Sequence, residues 1–184
     1  MAYTAPVPIW QFRVILIPEQ ILQSKYEVLP AAIPMELAED FAWWADVQPA
    51  SGFEQQVGLI LPQMESWSSS MRMWGLNNAD EVWVLYTNED KKVVEEIAFH
   101  IDVRDVSPEY VRQICVLARK LGCVLLTREH EILVPDEVMV LASINNSTAK
   151  RFVNDPIAAL KSLDQSEIRK RLEHFMNDPE DSQE

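Results

Sequence analysis

An α+β fold is predicted, with a mainly antiparallel sheet of about four to six strands and helices packed on it. Three observations carry this. Strand-like segments cluster in mid-chain, at residues 71–75, 81–87 and 93–104, and the connections between them are short enough to imply hairpins. Helix-like segments cluster before and after them rather than alternating with single strands. The best helix, residues 107–121, follows the third strand directly and carries an apolar stripe suited to covering one sheet face.

In chain order, Trp10-Gln11-Phe12-Arg13-Val14 alternates large and polar side chains and runs into Ile15-Leu16-Ile17, a strand ended by Pro18. Residues 18–33 show no clear pattern. Pro34 suits a first helical turn, and Leu37, Phe41 and Trp44 recur at helical spacing, so a helix is expected up to Pro49. Ser51 and Glu54 have capping-box spacing ahead of Phe53, Val57 and Ile60, which predicts a second short helix closed by Pro62. In the third central strand Ile97, Phe99, Ile101 and Val103 share one face, and Glu96, Ala98, His100, Asp102 and Arg104 the other.

Ser107-Pro108-Glu109 opens the main helix with a cap, a first-turn proline and an acid at the positive dipole end. Val111, Ile114, Cys115, Ala118 and Leu121 form its buried stripe, and Gly122 stops it. Residues 123–127 have the makeup of a buried strand. A polar turn at 128–131 leads to Ile132-Leu133-Val134. Helices are expected past Pro135, after Asp155-Pro156, and around Ile168, Leu172 and Phe175. Residues 1–176 read as one domain: 1–62 hold the N-terminal strand and helices, and 63–176 the sheet and helical core. Residues 177–184 are too polar to pack and are expected to be a disordered acidic tail.

Hydrophobic residues make up 48% of the 184, enough for a sizeable core. The charge is one-sided: 29 acidic against 16 basic residues, formally −13. Residues 1–60, 61–135 and 136–184 carry −5, −4 and −4, so the acidity is not confined to a tail. This argues against nucleic acid and anionic membrane as partners, because both need a cationic surface. It favours solubility and a basic protein partner drawn in by long-range steering. The absence of any run of about 18 apolar residues argues against a spanning helix. With only Cys115 and Cys123, a reducing cytoplasm is expected.

Chemical motifs are sparse. The four glycines are too scattered for a phosphate-cradling loop; GxGxxG, GxxxxGK[ST] and GxSxG are missing. The three histidines lie far apart with no HExxH pair, so no metal site and no cofactor are expected. Two polar groupings stand out. His100, Asp102 and Arg104 share a strand face, where a histidine beside a carboxylate is a candidate general base and the arginine an anion holder. The plainer reading is a solvated sheet face with ordinary cross-strand pairs. Trp43 is offset by about 100° from Trp44, toward Glu36, Glu39 and Asp40. An exposed indole among carboxylates suits a partner's cationic side chain, unless another segment covers it. Arg72 and Trp74 share a face of their strand and are expected to extend the His100 face if the strands adjoin.

Ile101-Asp102-Val103-Arg104, Gly122-Cys123-Val124-Leu125-Leu126-Thr127 and the stretch from Ser147 to Pro156 resemble segments of small uncharacterised bacterial proteins. The likeness spans roughly residues 40–165 and is to acidic cytoplasmic immunity partners of polymorphic toxins. The resemblance implies neutralisation of a toxin by binding, without catalysis, and assigns no individual residue a role. Three functions follow in order. The first is an acidic protein-binding protein, in immunity-type form an inhibitor of a basic partner. The second is a small-molecule binder or enzyme using His100, Asp102 and Arg104. The third is a structural or housekeeping protein with no separable site.

Overall fold

The computed structural model describes residues 9–76 and 79–162, with the side chains of 39–40 and 160–162 left aside. A seven-stranded, wholly antiparallel sheet organises them. Its strands are β1 (Gln11–Pro18), β2 (Gln63–Met64), β3 (Met71–Gly75), β4 (Glu81–Tyr86), β5 (Val94–Asp102), β6 (Cys123–Thr127) and β7 (Ile132–Leu133), in the order β2-β3-β4-β5-β1-β6-β7. The α+β class holds. The count exceeds four to six because of β2, a two-residue edge strand too short to leave a periodic signal; the Ile132-Leu133 segment forms β7.

The hairpin series β3-β4-β5 forms as its turn residues dictate. The position of β1 is the tertiary surprise. It runs antiparallel to both β5 and β6, with Val14 opposite Phe99 on one side and Thr127 on the other. Nearly every residue of β1 is buried, which explains its continuous apolar run from Val14 to Ile17. The N-terminal segment and the rest of the chain therefore share one sheet.

Seven helices are described: α1 (Glu19–Gln23), α2 (Met35–Asp40), α3 (Phe53–Ile60), α4 (Pro108–Lys120), α5 (Glu137–Asn146), α6 (Thr148–Asn154) and α7 (Pro156–Ser162). Ser107 caps α4 by accepting the Tyr110 N–H, and Gly122 closes it at φ 64°. Asp136 caps α5, accepting from Val138 and Met139.

Two helix expectations need correction. α2 ends at Asp40, because Phe41 is already extended, so Phe41 and Trp44 do not share a helical face. Burial overrides the periodicity: Trp44 enters the core and its indole N–H donates to the Leu16 carbonyl at 3.0 Å. α3 starts after Gly52 at φ 83°, with no side-chain cap, so the Ser51–Glu54 capping box is not made. Glu54 instead turns to the sheet, where it pairs with Arg72 and accepts from the Tyr86 hydroxyl. The predicted helix around residues 168–175 and the tail lie outside the described residues.

The pairing register sorts the sheet into two faces. Phe12, Val14, Leu16, Ile97, Phe99, Val82, Arg72 and Trp74 fall on one. α3 and α4 cover it: Tyr110 of α4 meets the Phe99 ring at 6.4 Å, and Gly58 of α3 lies against Trp74. The opposite face carries Arg13, Ile15, Trp83, Ala98, His100 and Asp102.

Candidate functional site

His100 lies near the middle of the opposite face. Its neighbours across the ladders are Arg13 on β1 and Glu81 on β4. Ala98 precedes it on the same face, and that small side chain leaves room for the Trp83 ring, which crosses from β4. The Trp83 and His100 rings stand 4.1 Å apart, tilted by 46°. Trp67, from the loop between β2 and β3, meets Trp83 edge to face at 6.1 Å. The three rings form a stack from the sheet surface outward. His100 is 0% exposed at its base and Trp67 is 50% exposed at its top.

A carboxylate touches this stack, and others lie on the segments that build it. Glu81 accepts the Trp83 indole N–H at 2.9 Å. Glu96 is held by Arg13 at 2.5 Å, both about a quarter exposed. Glu65 precedes Trp67 by two residues and is exposed, and Ser69 beyond it donates to the exposed Glu89 at 2.8 Å. Burial raises the Glu81 carboxyl above its usual range, against the Trp83 hydrogen bond that lowers it.

His100 is held neutral. Burial, with the Arg13 charge alongside, pushes its imidazole down to about 3. Neither ring nitrogen has a hydrogen-bond partner in the protein. The pair expected between His100 and Asp102 is not made. Asp102 is 8% exposed, and its carboxylate takes the Arg104 guanidinium through bonds of 2.6 to 3.1 Å and the Arg104 backbone N–H at 2.9 Å. Burial works to raise that carboxyl, but the Arg104 hydrogen bonds outweigh it and hold it below its ordinary value. Arg104 lies past the end of β5, in a turn, with its guanidinium 5.1 Å from the Trp10 ring. The three residues are close together, yet their pairing leaves no carboxylate to orient the imidazole as a general base.

The second predicted grouping does not assemble as expected. Trp43 is 4% exposed and packs against Phe41 at 4.6 Å, so it is a core residue and not a surface anchor. Another segment does cover it, because the chain turns extended after Asp40 and tucks both indoles inward. Glu36 is exposed on α2; Glu39 and Asp40 belong to that helix, and their side chains lie outside the described residues. Arg72 and Trp74 lie on the sheet face opposite His100, since Arg72 pairs through Val84 with Ile97 and Trp74 through Val82 with Phe99. Arg72 is tied to Glu54 and Trp74 is buried beneath α3.

An exposed indole among carboxylates is nonetheless present, at Trp67. Sequence reasoning passed over Trp67 because its loop has no periodicity. The available signal was local: a tryptophan among serines, two residues after Glu65, is an apolar side chain in a segment with nothing else to bury. Cys115 and Cys123 are buried free thiols, pushed by burial up to about 11 and about 12, so neither is a nucleophile at neutral pH. Among the described residues no group of His, Cys, Asp and Glu side chains could hold a metal ion, and no helix is long and apolar enough to cross a membrane. Comparison with known protein families, curated proteins and solved structures found no match.

Proposed function

We propose that this chain is a binding protein for a basic protein partner, with Trp67 as the anchor of its docking surface. The supporting observation is the half-exposed Trp67 ring, backed by Trp83, whose indole Glu81 holds, in a loop that also carries the exposed Glu65 and, through Ser69, contacts the exposed Glu89. A cationic side chain over an indole gains from the ring's π face, and the carboxylates add attraction at longer range. The formal charge of −13 steers such a partner toward the protein as a whole. An immunity-type inhibitor of a basic toxin, working in a reducing cytoplasm, is the form of this function that the free thiols and distributed acidity favour.

The test is affinity capture from source-organism lysate on the immobilised protein and on its Trp67→Ala variant. A basic protein should be held by the wild type at low salt and reduced at least tenfold on Trp67→Ala, the loss expected for a central aromatic anchor worth about 2 kcal/mol. Equal retention by both would sink Trp67 as the anchor.

A further inference from the structure

The sealed imidazole of His100 is a poor choice for a purely structural position. A neutral imidazole has one donor and one acceptor, and here both nitrogens are buried without a protein partner. Each such group destabilises the fold, where a phenylalanine of similar shape would not. The groups facing it give the residue a second possible state. Arg13 lies across one ladder, committed to Glu96, and Asp102 on the same strand is committed to Arg104. Glu81 lies across the other ladder, and its carboxylate is held by the neutral indole N–H of Trp83. Trp83 is thus the ring that packs on His100 and also the donor that occupies the carboxylate across the ladder from it.

We propose that His100 is an acid-operated release for the Trp67 docking surface: on taking a proton the imidazole leaves its place under Trp83 and pairs with Glu81, and the Trp83–Trp67 platform comes apart. This rests on the docking reading of Trp67 given above. The balance is simple. One proton from solvent adds to an imidazole nitrogen, the Trp83-to-Glu81 hydrogen bond breaks, and an imidazolium–carboxylate bond replaces it. The closed stack cannot hold the charged ring, because it offers two N–H donors no acceptor and places the Arg13 charge alongside. Burial disfavours the charged imidazole while the stack is closed. Opening frees the Glu81 carboxylate from the Trp83 indole to pair with it. With an exposed imidazole titrating at about 6.5, going to pH 5 favours the open form by about thirtyfold.

The test follows the indole N–H of Trp83 by NMR in the ¹⁵N-labelled full chain, identified by its absence in Trp83→Phe. From pH 7.5 to pH 5 that signal should lose its hydrogen-bonded shift in the wild type and keep it in His100→Phe, with far-ultraviolet circular dichroism unchanged. A signal that stays put in the wild type, or moves equally in both, overturns the proposal. Glu81→Gln leaves the Trp83 acceptor but removes the carboxylate, so its transition should move to lower pH; an unchanged midpoint also overturns it, and this holds even if His100→Phe fails to fold. Octa-arginine serves as the docking probe. Its binding should be present at pH 7.5, weakened at least tenfold at pH 5 in the wild type, and retained at pH 5 by His100→Phe. Equal wild-type binding at both pH values while the Trp83 signal moves overturns the release. Octa-arginine that binds at neither pH counts against the docking reading alone, and the Trp83 titration still decides the switch.

Discussion

A buried histidine without partners carries its own pH signature. In the closed fold the His100 imidazole is depressed to about 3, while in the unfolded chain it titrates near 6.5. The unfolded state therefore binds the extra proton first, and stability is lost as pH falls below 6.5, by about tenfold in the unfolding constant per unit until the stack opens. His100→Phe removes both the unpaired nitrogens and this loss. It should be neutral or stabilising by up to about 2 kcal/mol at pH 7.5, with a larger advantage at pH 5, as read from urea midpoints at the two pH values. A variant less stable than wild type at both would mean that the imidazole makes contacts in the native state that phenylalanine cannot. At this scale the strand alternation was legible for His100 and Asp102, which share a face of β5; Arg104, expected beside them, lies past the strand's end in a turn. What each polar group pairs with was not legible, because Asp102 had a choice between His100 and Arg104 that only local backbone geometry resolves. The same limit hid the burial of Trp43: helical spacing was carried past Asp40, where the chain is already extended at Phe41 and draws Trp43 inward.

Elements were readable in proportion to their length and punctuation. α4 is the clearest case, since its cap, first-turn proline, apolar stripe and stop glycine all agree. Ser107→Ala should cost about 1 kcal/mol by leaving the Tyr110 N–H without its acceptor, and Ser107→Asp should recover most of it, as measured by denaturation. Equal stability of all three would mean that packing alone sets where α4 begins. The Ser51–Glu54 pattern shows the converse. The spacing of a capping box was present, but Arg72 and Tyr86 compete for the same carboxylate from the sheet below, and a charge-assisted pair outweighs a local cap. β2 could not have been found by periodicity, since two residues define no period; it forms because β3 offers it an edge.

For the whole molecule, the placement of β1 matters most. It fills the gap between β5 and β6, so removing residues 1–18 takes away an interior strand and exposes both neighbouring strands. Such a truncation should show no cooperative thermal transition and should aggregate, as followed by calorimetry and light scattering. A cooperative transition in the truncated chain would show that β5 and β6 can close on each other. Charge also acts at this scale. If the partner is basic, its association rate should fall steeply toward about 1 M salt, where the screening length is about 3 Å, while dissociation changes less. A salt-independent association rate would remove the electrostatic part of the proposed function.

The amino-acid sequence by itself determined the α+β class, the central hairpins, α4 with its caps, the two-sided strand β5 and the acidity on which the proposed partner's basic character rests. Each of these depends on neighbours within a few residues, or on composition alone. The tertiary structure decided the rest. It set β1 inside the sheet between β5 and β6, turned Arg72 and Trp74 away from His100, buried Trp43 and left Trp67 half exposed. Those outcomes depend on which strands adjoin and which face each helix covers. Contacts between residues far apart in the chain fix them, and no local period encodes such contacts.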